Sequence, residues 1–209
     1  MRSVTRRRPQ ESDEAGAGAV QKLVDAFERL LSQGESFTTI SIERLTQEAG
    51  LARATFYLHF RNKGELVNHL MKAVSGELRA AAIQTLRKGD SFGRAEFSSF
   101  MRSAVEVHFR HRSAIRAMVE ISAYDPSVEK SYRSFWRSQA TDTRLVLERL
   151  KNAGKAHPSA TPETADLLTW MAERGCMQML QDADTPERRQ QFADMLTHVV
   201  WCSIARAER

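Results

Sequence analysis

A chain of 209 residues, 42% hydrophobic and 27% charged, is long enough to bury a real core in one domain or two unequal ones, which excludes disorder throughout. It contains no apolar run near the roughly 18 residues that a membrane helix needs, and its N-terminus lacks the apolar core of a secretory signal, so a cytoplasmic location without membrane contact is expected. The net charge of +5 gathers at one end, where Arg2, Arg6, Arg7 and Arg8 form a basic arm without an intervening acid; such an arm suits phosphates or a minor groove, or simply stays solvated.

After the arm, residues 11–18 are small and polar and read as a flexible lead-in, with order beginning near Ala19. Val20, Leu23, Val24, Phe27, Leu30 and Leu31 then recur at helical spacing, and Gly34 stands where a left-handed cap would end the helix. In residues 41–50, Ser41 is a suitable N-cap, Ile42, Leu45 and Ala49 share one face, and Gly50 closes the helix. Leu51 supplies an apolar plug, and a second short helix from about Ala52 carries Phe56 and Phe60 four residues apart on one face. Packing those rings inward against Leu45 and Ala49 leaves Arg53, Ala54, Thr55, Tyr57 and Leu58 to form the outward surface. Tyr57 follows Phe56 by one residue, about 100° around the helix, which turns it outward. Two amphipathic helices around a glycine turn can be a plain helical hairpin, but packing alone does not account for an outward cluster of Arg, Thr, Tyr, His and Lys.

Asn62 can cap the next helix, with Glu65 reaching back to it in a capping box. The positive end of that helix, with Lys63, would make a phosphate site on one flank of the second short helix, and the Ser41 hydroxyl a matching one on the other. His59 would cap or pack at the junction. The helix begun near Asn62 runs on to Gly89-Asp90. Beyond it, Asp125-Pro126, Thr161-Pro162 and Thr185-Pro186 each place a capping side chain before a first-turn proline. Helices are predicted at about 91–111, 113–123, 126–152 (ended by Gly154), 162–181 and 186–206, and no alternating run argues for a sheet. The fold class is therefore all-α, with about nine helices.

Histidine and cysteine spacing offers an enzyme little. His108 with His111, and His198 with Cys202, could each share a helix face, but neither pair has an evident third ligand, and HExxH, nucleophile-elbow and phosphate-loop motifs are absent. No catalytic residue, metal or cofactor is expected, and Cys176 and Cys202 read as reduced core residues.

The run Leu51-Ala52-Arg53-Ala54-Thr55-Phe56-Tyr57-Leu58-His59-Phe60, followed by Asn62-Lys63 and Glu65-Leu66, resembles the signature of the TetR family of transcriptional regulators. The resemblance covers the N-terminal domain closely, and the remainder only by length, helical character and order of elements. It implies that residues 19–65 form a three-helix helix-turn-helix DNA-binding domain, joined by a connector helix to a ligand-binding and dimerisation domain over residues 66–209. It implies that Arg53, Ala54 and Tyr57 face bases, while Ser41, Thr55, Leu58, His59 and Lys63 lie along the DNA backbone. Ala52 departs from the pattern, since the family often has a polar residue there that caps the recognition helix; its absence costs near 1 kcal/mol.

By the same resemblance the chain would be a repressor, binding an inverted-repeat DNA operator as a homodimer through its last two helices and released by a small, mainly apolar effector. Aromatic and methionine side chains suit such a pocket, with Phe100, Met101, Phe109, Met118, Trp136, Trp170 and Met177 as candidates, although each would equally serve as ordinary core. The pairing faces would be Leu168, Met171, Gly175 and Met179 on one helix, and Phe192, Met195, Leu196, Val199, Val200 and Ser203 on the other. Residues 170–174 and 196–201 resemble more distantly the subgroup that includes the mycobacterial ethionamide-resistance repressor, which implies a long hydrophobic tunnel, a lipophilic effector and control of a metabolic operon.

Overall fold

Capping chemistry sets most of the helix boundaries in the computed structural model, which describes residues 9–86, 92–180 and 185–206. The arginines of the arm and the Gly89-Asp90 turn lie outside the described residues. Within them are nine helices: α1 (Pro9–Ser32), α2 (Ile42–Ala49), α3 (Arg53–His59), α4 (Lys63–Leu86), α5 (Arg94–Arg110), α6 (Arg112–Ser122), α7 (Pro126–Asn152), α8 (Pro162–Met179) and α9 (Pro186–Ile204). Among the described residues there is no strand, only one isolated antiparallel bridge between Ala156 and Ala205. None of the described helices is long and apolar enough to cross a membrane.

The chain divides into two compact units, Met1–Leu70 and Met71–Arg209, whereas the sequence reading places the boundary after residue 65. The first turns of α4 pack with the N-terminal helices: Leu66 and Val67 are fully buried and Leu70 nearly so. A second difference lies in α1, which begins at Pro9 rather than near Ala19. Proline suits a helix start because an amide there would be unbonded anyway, and Gln, Glu and Ala favour the helix enough to carry it through Gly16 and Gly18.

In the first unit, α1 packs on α2 and α3, and α2 on α3. Its core joins Leu23, Phe27 and Leu30 of α1 to Ile40, Leu45, Phe56 and Leu66, all without exposed surface. The expected spine of Leu45, Phe56 and Phe60 is buried, but Ala49 and Leu51 are only half-buried. Thr46 is buried in their place; its hydroxyl donates to the Ile42 and Glu43 carbonyls, so no polar group is stranded.

In the second unit, α5 packs on α9, α7 on α6 and α8, and α8 on α9. The proline starts form as the sequence leads one to expect. Asp125 accepts from the amides of Ser127 and Val128 at 2.9 and 3.2 Å, and Thr161 and Thr185 each accept from the amide three residues on at 3.3 Å. Gly175 lets α8 and α9 close up, since a β-carbon there would lie 3.4 Å from the Phe192 ring.

Candidate nucleic-acid interface and cavity

The helix-turn-helix is built from two caps and a turn. Ser41 has extended backbone (φ −78°, ψ 158°), and its Oγ accepts from the Arg44 amide at 3.0 Å. Using the oxygen as acceptor leaves the hydroxyl proton on an exposed residue to donate outward. Gly50 ends α2 in the left-handed region (φ 65°, ψ 36°), where a side chain would be strained, and the Leu51 amide returns to the Thr46 carbonyl at 2.9 Å. Ala52 enters α3 with extended backbone and no side-chain cap.

Phe56 and Phe60, with ring centroids 5.7 Å apart, anchor α3 from within, which sets the direction of every other side chain on it. Arg53, Ala54, Tyr57 and Leu58 are exposed, and Thr55 is half-buried. The Tyr57 ring stands edge-on to Phe56 at 5.5 Å, while its hydroxyl accepts from the Arg53 guanidinium at 3.3 Å. Tyr57 is thus held upright at its base and tied at its tip. His59 is half-buried against α1, its Cε1 lying 3.5 Å from where a β-carbon on Gly16 would stand. Of the two roles open to it, packing is the one adopted.

Lys63 departs most from its expected place. Its ammonium donates to the carbonyls of Phe37 and Ile40 at 2.7 and 2.6 Å and lies 4.4 Å from the Phe37 ring centroid. The charge is turned onto the loop that precedes α2, where it fixes the backbone that presents Ser41. The adjoining cap is formed: Asn62 Oδ1 accepts from the Glu65 amide at 3.0 Å. Glu65 in turn accepts from the amide of Arg61 at 2.8 Å, one residue earlier than in a standard capping box. Sequence reasoning passed over Arg61, whose side chain is 90% exposed at the α3–α4 junction; a cation directly after α3 was the available signal.

Ion pairs brace α1 and α2 on their outer side. Glu48 pairs with Arg29 at 3.1 Å and Arg44 at 3.2 Å, and Arg44 also meets Glu35 at 3.2 Å. The Arg29 hydrogen bond, followed by that from Arg44, holds the Glu48 carboxyl below the ordinary carboxylate range despite an opposing effect of desolvation.

In the second unit, a cavity of about 90 Å³ lies between α4, α5, α7, α8 and α9. Of the candidates drawn from the sequence, Phe100, Met101 and Trp136 line it. Phe109, Met118, Trp170 and Met177 do not. Phe109 lies between the guanidinium groups of Arg112 and Arg189, each 4.2 Å from its ring centroid, and Met118 is fully buried on α6. Trp170 is 42% exposed in a surface groove beside Tyr132 and Arg133, and Met177 is half-buried away from the cavity. His108 also lines it, together with polar residues that the sequence did not point to, namely Gln139, Asp142, Thr143, Thr169 and Glu173. Glu173 is 3% exposed, accepts from the Tyr132 hydroxyl at 2.9 Å, and has its carboxyl pushed up by burial.

His108 and His111 turn to different partners. His108 Nδ1 meets the Ala104 carbonyl at 2.8 Å, whereas His111 Nε2 meets Glu77 at 3.1 Å. Cys202 is exposed, contrary to its reading as core, with its sulfur 3.8 Å from His198 Nδ1; Cys176 is buried as expected. On α8 and α9, Leu168, Phe192, Leu196 and Val200 are consumed inside the unit. The large apolar side chains left outside are Leu167, Trp170, Met171 and Met179 on α8, and Met195 and Val199 on α9.

Residues 23–70 match the family of bacterial regulatory proteins described as the tetR family. A TetR family transcriptional regulator, PfmR, from Thermus thermophilus superimposes with a TM-score of 0.67 at 18% identity, covering 90% of this chain and 97% of that one. A bacterial regulatory protein in the tetR family from Rhodococcus RHA1 gives 0.70 at 14% identity, with coverage of 91% and 98%. The regulatory protein TetR from Rhodobacter sphaeroides gives 0.68 at 18% identity, with coverage of 90% and 99%. At such identities the structural likeness is one of fold. The N-terminal domain is that of the tetR family, and the chain as a whole has the fold of its transcriptional regulators.

Proposed function

We propose that this protein is a sequence-specific DNA-binding repressor that holds an inverted-repeat operator as a homodimer and is released by a small, mainly apolar effector. The observation that carries the DNA-binding reading is the outward face of α3. Tyr57 and Leu58 are 48% and 79% exposed, and Tyr57 is pinned by Arg53 on one side and Phe56 on the other. Holding an aromatic and a leucine in water serves no packing purpose, whereas a short helix presenting Arg, Ala, Tyr and Leu can meet base edges and thymine methyls in a major groove. Arg53, Ala54 and Tyr57 take the base-facing role. Ser41, Thr55, Leu58 and His59 lie beside the DNA backbone, Lys63 supports them by fixing the loop before α2, and Arg61 adds a phosphate contact.

The remaining apolar stripe of α8 and α9, Leu167, Met171 and Met179 with Met195 and Val199, would pair across a two-fold axis, as reading two half-sites requires. The cavity of the second unit is where the effector would sit, and the resemblance of residues 170–174 and 196–201 to the ethionamide-resistance-repressor subgroup favours a lipophilic one. An effector that prefers a dimer whose recognition helices are wrongly spaced would release the operator by its differential affinity. The test is a gel shift with the DNA upstream of the protein's own gene. Two protomers should bind half-sites about one helical turn apart. Retention of equal affinity by a scrambled fragment refutes the reading.

A further inference from the structure

The cavity of the second unit is walled mainly by carbon, including Phe97, Met101, Leu168 and Val200. Four buried polar atoms of its lining residues nevertheless lack a hydrogen-bond partner: His108 Nε2, Trp136 Nε1, Gln139 Nε2 and Asp142 Oδ2. Buried polar groups are nearly always satisfied, and four unpartnered atoms around one cavity are what a bound polar group would satisfy.

The role of His108 is fixed by its surroundings. The Ala104 carbonyl, 2.8 Å from His108 Nδ1, can only accept, so the proton is on Nδ1. Burial pushes His108 toward its neutral form, which leaves Nε2 a bare acceptor. Asp142 Oδ2 is a second acceptor and the Gln139 amide nitrogen is a donor. His108 lies on α5, stacked on Trp136 at 6.0 Å, while Gln139 and Asp142 stand three residues apart on α7. Residues at that spacing share a helix face.

We propose that the cavity takes a compact apolar molecule ending in an uncharged primary carboxamide, whose two N–H groups donate to His108 and Asp142 and whose carbonyl accepts from Gln139. This rests on the reading of the second unit as the sensor and names the chemistry it senses. A carboxylic acid would bring a negative charge against Asp142 and the buried Glu173. An ammonium group would satisfy the two acceptors but leave the Gln139 donor facing a cation. A pure hydrocarbon would leave every one of these atoms unpaired.

Toluene, benzamide, benzoate and benzylamine share one ring and differ only in the polar end, so calorimetric titration of each into the full-length protein isolates that end. Benzamide should bind roughly tenfold or more tightly than the other three. In Gln139→Leu and Asp142→Leu proteins this preference should shrink several-fold toward the affinity for toluene, and retained toluene binding reports that the cavity is intact. The Gln139→Leu protein without ligand should melt no lower than the parent, because an unsatisfied donor has been removed. Equal or tighter binding of benzoate or benzylamine overturns the proposal, as does a benzamide preference that survives both substitutions, or no binding by any of the four. Operator binding measured in parallel separates the two readings. Benzamide binding without operator release defeats the regulatory role alone, and intact operator binding without benzamide preference defeats this assignment alone.

Discussion

The two units put the same kinds of side chain to opposite uses. In the first, the proposed reading face points outward: Tyr57 and Leu58 stand exposed over a core in which Phe56 has no exposed surface. In the second, the proposed binding surface is a cavity, and its apolar walls are continuous with a core of Phe97, Val105, Leu147 and Ile204. A face that reads DNA must be rigid to hold its register, so the support of the proposed one should tolerate little loss of volume. A cavity is space the core leaves unfilled, so the surroundings of α5, α7 and α8 should tolerate changes in volume that α3 does not.

Substitutions at four kinds of position would break or sharpen this contrast. Phe56→Ala empties the centre of the first unit and should cost about 3–5 kcal/mol in denaturant unfolding, with loss of all operator binding. Lys63→Met should come next, near 1.5–3 kcal/mol, because two carbonyls lose a charged donor. If instead stability holds and the salt dependence of DNA binding falls by about one counterion, Lys63 is a phosphate contact. Tyr57→Ala should weaken specific operator binding by about 1–3 kcal/mol while unfolding shifts by no more than about 0.5 kcal/mol, as measured by anisotropy titration beside denaturation. Ala104→Leu, which adds volume to the cavity wall, should change stability by less than about 1 kcal/mol, and a loss of several would mean that the space is not there to fill.

The smallest effect concerns acid. Because the folded Glu48 carboxyl titrates below its unfolded value, its contribution is present above the unfolded value and disappears as pH falls through the folded one. Glu48→Gln should therefore be less stable than the parent near neutrality, with the difference closing below the ordinary carboxylate range. A gap that persists in strong acid would assign the loss to packing instead.

What could be read without coordinates follows from range. Caps and turns depend on a few consecutive residues, so Asp125, Thr161, Thr185, Gly50 and Asn62 announced their structures directly. The outward set on α3 was legible because Phe56 and Phe60 name the inward direction, and on so short a helix the rest follows. Lys63 was misplaced because its partners Phe37 and Ile40 are more than twenty residues away in sequence. The cavity was hardest. Aromatics and methionines at helical spacing look alike whether they face a void or fill one, so Met118 and Phe109 were as plausible as Phe100 and Met101. Gln139, Asp142 and Glu173 were overlooked for the opposite reason, since polar residues on a helix suggest the solvent face. On α8 and α9 some residues of the expected pairing faces are buried within the unit for a similar cause: which of two adjacent apolar stripes the unit consumes is settled by tertiary packing, as between Leu167 and Leu168.

Cys176 in the cavity wall carries a consequence for redox behaviour. Burial pushes its thiol up to about 12, so almost none of it is thiolate at neutral pH, and only the thiolate attacks electrophiles or is readily oxidised. Binding beside it is therefore expected to be reversible rather than covalent, and oxidants should leave it untouched. Cys202, the other of the two cysteines, is exposed. A maleimide fluorophore should then label the unaltered protein at that position alone, giving a reporter on α9 without any engineered cysteine.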